Sequence, residues 1–189
     1  MAGNMNARSP RRSWCVALCG VLGALSIALM LLGAAIPLAA FIAPAVGGLL
    51  VLLACEECGR QMAWTMYAAV SLLGVLFVPD KEVALVFLLL LGYYPLVKPR
   101  FDALHGALLR LAAKTLLFIV SISAMYGLLL LLFPMDYAPE ALVSAGEWLA
   151  ALTALMGYTA FVLYDRALLN LLRLYRLVWQ PKLRRILGR

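Results

Sequence analysis

Six long apolar runs occupy most of this 189-residue chain, and its charged residues lie almost entirely between them. The hydrophobic fraction is 66%, which is more apolar surface than a soluble domain of this length can bury. A bilayer accommodates such runs, because a membrane-spanning helix needs roughly 17–25 apolar residues and satisfies its own backbone hydrogen bonds. The sequence therefore predicts an all-α, polytopic membrane protein with six transmembrane helices.

Prolines and polar residues mark the ends of the predicted spans, since proline interrupts a helix. The fourth run holds 15 residues, which is short for a bilayer, so it is either a full span or a re-entrant or bent segment. As a full span it would let Lys98 and Arg100 extend to the headgroups and place Tyr93 and Tyr94 at the interface. The six predicted spans cover 14–36, 38–55, 61–78, 83–97, 115–133 and 148–164.

Loop charge predicts the orientation of these spans. With six spans, the two termini and the second and fourth loops share one side of the membrane, and that side holds all of the 16 basic residues except Lys81. Basic loops are retained in the cytoplasm. Both termini are therefore expected to be cytoplasmic, in the plasma or inner membrane.

The chain is expected to form a single integral domain with basic ends. Residues 1–13 form a cytoplasmic basic terminus, 14–164 the six-helix bundle, and 165–189 a cytoplasmic basic tail. The tail has the pattern of an amphipathic helix on anionic lipid, and it equally fits an extension of the sixth span. The net charge of +7 is assigned to topology and lipid contact rather than to nucleic acid.

No pattern of catalytic residues is visible, so the chain is not predicted to be an enzyme. His105 is the single histidine, and it has no nucleophile or acid pattern beside it. The span centres lack the buried charge that ion-coupled carriers use. Four thiols lie near the cytoplasmic ends of the first two spans, and packing is favoured for them over zinc or redox chemistry: Cys15, Cys19, Cys55 and Cys58. We expect no cofactor and no metal.

Two sets of residues are candidates for binding. The first span carries small residues at a spacing of four, Gly20, Ala24 and Ala28, which permit either contact with a partner helix or packing within the protein. Hydroxyl and aromatic groups in the outer halves of later spans would suit a small-molecule pocket, or would anchor the helices in the membrane and bond neighbouring helices. The candidate pocket residues are Tyr67, Ser71, Tyr126, Trp148 and Tyr158.

The first span also carries a family resemblance. Its residues 11–26 read RRSWCVALCGVLGALS, a basic start followed by small-residue steps and Ala-Leu-Ser. This segment resembles the first helix of the substrate-binding S components of energy-coupling factor (ECF) vitamin transporters, which also have six helices and cytoplasmic termini. The resemblance implies that Gly20, Ala24 and Ala28 contact a coupling membrane subunit, and that two ATPase subunits drive uptake.

These observations predict an S-component-like subunit that binds a small, vitamin-like nutrient for uptake by a separate ATPase module. The alternative is a membrane scaffold or assembly protein that uses the same small residues to hold a partner. Nothing in the sequence assigns a mechanism to the stretch from Gly92 to Arg100.

Overall fold

Helices make up the part of the chain that the computed structural model describes, namely residues 9–35, 42–103, 106–132, 147–175 and 177. This confirms the all-α prediction. The chain divides into two units, one up to Asp136 and one from Tyr137 onward. The elements are α1 (Ser9–Ala35), α2 (Ile42–Cys58), α3 (Arg60–Phe77), α4 (Lys81–Val86), a π-helix (Phe87–Leu91), α5 (Tyr94–Asp102), α6 (Ala107–Leu132) and α7 (Glu147–Leu174).

Three helical segments of the described part are long and apolar enough to cross a membrane: Ser13–Gly33, Lys81–Asp102 and Leu108–Leu132. Large apolar side chains remain exposed along the first and third of these segments, including Val21 on α1 and Leu131 on α6, whereas Lys81–Asp102 is mostly buried within the protein. Water would solvate such faces poorly, whereas lipid acyl chains match them. The chain is therefore a membrane protein.

The first three helices pack against one another around a common core. Only Gly59 separates α2 from α3, and its φ of 86° is a conformation that favours glycine. The Gly59 N–H still donates to the Cys55 carbonyl at 3.1 Å, so the chain reverses without losing that hydrogen bond. Met30, Val51 and Met66 contribute one buried side chain from each helix to the core.

The fourth predicted run is longer than the sequence indicates. Three consecutive helical elements extend from Lys81 to Asp102, because α4 passes into the π-helix and then, after a short turn, into α5. Asp80 caps α4 by accepting a 3.0 Å hydrogen bond from the Glu82 N–H. Lys81 donates to the Val75 and Val78 carbonyls at the end of α3. The start of this segment is therefore capped by Asp80 and hydrogen-bonded to the end of the preceding helix.

The helix α6 buries one stripe of its surface. Phe118, Ser121, Met125 and Leu129 are buried, at spacings of three and four residues, and α6 packs against α4, the π-helix and α5. Most of its other side chains are exposed, as a lipid-facing helix requires.

The helix α7 forms the described part of the second unit. It runs without a break from the sixth predicted span to Leu174, so the start of the predicted tail continues that helix. Most of the tail after Tyr175, like residues 1–8, lies outside the described residues.

Candidate functional site

An apolar groove runs along the surface between α1 and α3, with a volume of about 440 Å³. Thr65 is its single lining residue with a hydroxyl, and that hydroxyl donates to the Met62 carbonyl at 2.8 Å. The groove therefore offers no strong polar contact to a ligand. Its lining residues are Val16, Cys19, Gly20, Gly23, Ala24 and Ile27 of α1, and Met62, Thr65, Met66, Ala69, Val70 and Leu73 of α3.

The small residues of α1 differ in how deeply they are buried. Gly20, Ala24 and Ala28 are exposed, and the first two line the groove. Gly23 is buried, and a Cβ there would lie 3.3 Å from Val70 Cγ2. Gly23 thus supports the packing of α1 on α3, whereas the predicted partner-contact residues remain exposed.

The predicted pocket residues belong to two units: Tyr67, Ser71 and Tyr126 lie in the first unit, and Trp148 and Tyr158 lie in the second. Tyr67 and Ser71 share one face of α3, and Ser71 is 4% exposed with no hydrogen-bond partner for its hydroxyl. Tyr126 is 41% exposed on α6. Tyr158 lies on α7 in the second unit, and the Trp148 side chain, also on α7, lies outside the described part, as does His105.

The π-helix is held by contacts that sequence reasoning missed. The Tyr67 hydroxyl donates a 2.6 Å hydrogen bond to the Leu88 carbonyl. The Phe87 ring lies between two glycines: a Cβ on either Gly47 or Gly92 would approach this ring to 3.0 Å. A Cβ on Gly92 would also lie 2.6 Å from the Phe87 carbonyl oxygen. Gly92 is the first residue of the stretch from Gly92 to Arg100, and it is therefore a position of close packing.

The second half of that stretch contributes one buried residue, Lys98, to a charge cluster. Lys98 is 3% exposed and lies 3.9 Å from Asp102, which also accepts a 2.9 Å hydrogen bond from Lys114 on α6. The Lys98 ammonium group lies 5.6 Å from the centre of the Tyr94 ring. Both side chains are buried in the protein, so neither the Lys98 ammonium group nor the Tyr94 ring is exposed on the surface of the first unit.

The spacing of Lys98 and Asp102 was the available sequence signal for this cluster. Residues at i and i+4 face the same side of a helix, so these two oppositely charged residues were placed to pair. Lys114 could not be added from the sequence, because its approach depends on how α6 packs against α5.

Three of the four cysteines meet where α1 begins and α2 ends. Cys58 donates to the Cys15 carbonyl with a separation of 3.8 Å, and its side chain also interacts with the side chains of Cys15 and Cys19. Burial raises the pKa of the Cys58 thiol, which lies beyond the predicted second span. Among the described residues, no three cysteine, histidine or acidic side chains are arranged to hold a metal ion.

In comparisons with known proteins, no protein-family model, curated protein or solved structure matches the chain. The groove, the π-helix, the charge cluster and the thiols are therefore interpreted from their own chemistry.

Proposed function

We propose that this chain is a multi-pass membrane subunit whose α1/α3 groove binds a transmembrane helix of a partner protein. The observation that carries the proposal is the exposure of Gly20 and Ala24 within an apolar groove. In lipid, the hydrophobic effect does not drive helices together, and close packing at small residues takes its place. A helix laid along this groove would approach the α1 backbone closely at two successive turns.

The membrane arrangement in this proposal has six spans with both termini in the cytoplasm. The three candidate membrane-crossing segments support part of it, and loop charge supports the orientation. The exposed cations Arg100 and Arg110 lie on the side that would be cytoplasmic, where they would meet anionic lipid. The amphipathic lipid-bound tail belongs to the same proposal.

The specific role that we propose is that of an S-component-like subunit for nutrient uptake. The partner in the groove would be a coupling membrane subunit, and ATPase subunits bound to it would drive transport of a small, vitamin-like molecule. Support comes from the resemblance of the first helix. It also comes from the surface exposure of the residues that the resemblance assigns to coupling, Gly20, Ala24 and Ala28.

A specific observation favours a second role, that of a membrane scaffold without transport. The Tyr67 hydroxyl is hydrogen-bonded to the protein backbone, and Ser71 is buried on the same helix, α3. Two of the predicted pocket residues therefore contribute to packing inside the first unit. A scaffold would use the groove in the same way but would bind no nutrient.

Site-specific photocrosslinking tests the groove. A benzophenone amino acid replaces Ala24 in one variant and Val21 in another; Val21 is 66% exposed on the same helix and lies outside the groove lining. We expect irradiation of whole cells to link position 24, and not position 21, to a multi-pass membrane protein. Equal crosslinking at the two positions, or adducts with lipid alone at position 24, would contradict helix docking.

Ligand-induced thermal stabilisation separates the two roles. A protein that binds a nutrient gains stability as the ligand exceeds its dissociation constant. In a panel of vitamins, an S-component-like protein is stabilised by one compound, and Ala24→Trp abolishes cellular uptake of that compound while leaving the stabilisation intact. A chain that no compound stabilises, with crosslinking at position 24 preserved, is a scaffold.

A further inference from the structure

The thiols near the start of α1 and the end of α2 are arranged for reaction with one another. Cys58 lies against both the Cys15 backbone carbonyl and the Cys15 side chain. Both residues are partly exposed, so a small reagent reaches them, whereas Cys19 is buried. Cys55, three residues before Cys58, has Glu56 and Arg60 as its charged neighbours.

Pairwise covalent chemistry suits this cluster better than metal binding. The described thiols do not form a set of three ligands around a common point. A disulfide requires only two sulfur atoms, and Cys58 has Cys15 directly beside it. In the cytoplasm, protein disulfides are usually transient and respond to the redox state.

We propose that Cys15 and Cys58 form a reversible disulfide that links α1 to α2 when the cell's pool of small disulfides becomes more oxidised. The oxidant is a disulfide of the glutathione class. The Cys15 thiolate attacks one of its sulfur atoms, which forms a mixed disulfide and releases one small thiolate.

Burial disfavours the Cys58 thiolate, but Cys58 lies directly beside Cys15, so once it is deprotonated it attacks the Cys15 sulfur of the mixed disulfide. The protein disulfide forms, and the second small thiolate leaves. The two protons lost by the cysteines are taken up by the released thiolates, so the protein loses two electrons and the small disulfide becomes two thiols.

This reaction would act on the end of the groove. Cys19 lies one helical turn beyond Cys15 and lines the groove beside Gly20. A covalent link from Cys15 to α2 would fix this turn of α1 and so restrict how the groove adapts to a helix. The effect on docking and the exposure of the thiols to the cytoplasmic glutathione pool depend on the proposed function, whereas formation of the disulfide in the purified protein does not.

Thiol counting on the full-length protein tests the reaction. Purified protein in lipid nanodiscs is equilibrated with reduced and oxidised glutathione at increasing ratios, denatured, and labelled with maleimide-polyethylene glycol. We expect the wild type to lose two of its four labelled positions on oxidation. Cys19→Ser and Cys55→Ser should also lose two each, whereas Cys15→Ser and Cys58→Ser should show no intramolecular loss.

Mass-spectrometric mapping of the oxidised wild type identifies the linked residues without any variant. A peptide joining Cys15 to Cys58 supports the proposal. Full labelling under oxidising conditions, a link that uses Cys19 or Cys55, or links only between two copies of the chain would overturn it. Photocrosslinking at position 24 before and after oxidation then measures the effect on the groove, and an unchanged yield would remove the regulatory role while leaving the disulfide in place.

Discussion

The hydroxyl of Tyr67 on α3 donates a 2.6 Å hydrogen bond to the carbonyl oxygen of Leu88 within the π-helix. A π-helix has a wider turn than an α-helix and is rare in proteins. Here the turn closes through a 2.8 Å hydrogen bond from the Gly92 N–H to the Phe87 carbonyl. Tyr67 thereby connects α3 to the irregular centre of a candidate membrane-crossing segment.

Replacing Tyr67 by phenylalanine should destabilise the protein by about 1 kcal/mol, because the Leu88 carbonyl loses a partner while the ring packing is retained. Equilibrium unfolding in mixed detergent micelles measures the change. Tyr126→Phe is the matched control, since Tyr126 is 41% exposed on α6. Equal stabilities for the two variants would show that the hydrogen bond contributes nothing.

Gly92→Ala should destabilise the protein by roughly 1–3 kcal/mol, since the new methyl group would overlap a backbone carbonyl oxygen. A Cβ at this position would lie 2.6 Å from the Phe87 oxygen, and backbone atoms cannot rotate away as a side chain can. Gly127→Ala on α6 is the control, because nothing lies within 4 Å of its Cβ position. Thermal unfolding should show a lowered midpoint for Gly92→Ala and an unchanged or raised midpoint for the control.

Ser71→Ala should leave the stability unchanged or raise it by up to about 1 kcal/mol, because a buried hydroxyl without a partner is unfavourable. Ser121→Ala provides the contrast, since the Ser121 hydroxyl is hydrogen-bonded to the Tyr93 hydroxyl at 3.1 Å. We expect that variant to lose about 1 kcal/mol. A destabilised Ser71→Ala variant would mean that the Ser71 hydroxyl has a favourable interaction in the folded protein.

Asp102→Asn should destabilise the protein by roughly 1–3 kcal/mol, because it removes the carboxylate that Lys98 and Lys114 share. A double variant that also carries Lys114→Met should recover part of this loss, since one of the two neighbouring ammonium groups is then absent. Chemical denaturation of the single and double variants measures the coupling. Arg110→Gln, which changes an exposed cation on α6, should have little effect.

The helical class and the membrane environment were accessible from the sequence because they depend on composition along the chain. Apolar runs and polar breaks are local properties, and they identified α1, α6 and the segment that begins at Lys81 as helical regions in lipid. The small residues at positions 20 and 24 were likewise visible as a pattern. Their spacing left open whether they face a partner or this protein's own helices.

Only the packing of helices on one another decided the remaining features. Because of the way in which α1 packs on α3, Gly23 is buried and Ala24 is exposed. The position of Tyr67 relative to Leu88, and of Asp102 relative to Lys114, depends on the approach of separate helices. The sequence pattern specifies which residues are apolar, small or charged. Which of these residues contact one another across helices depends on the three-dimensional packing of the helices, and local periodicity does not determine that packing.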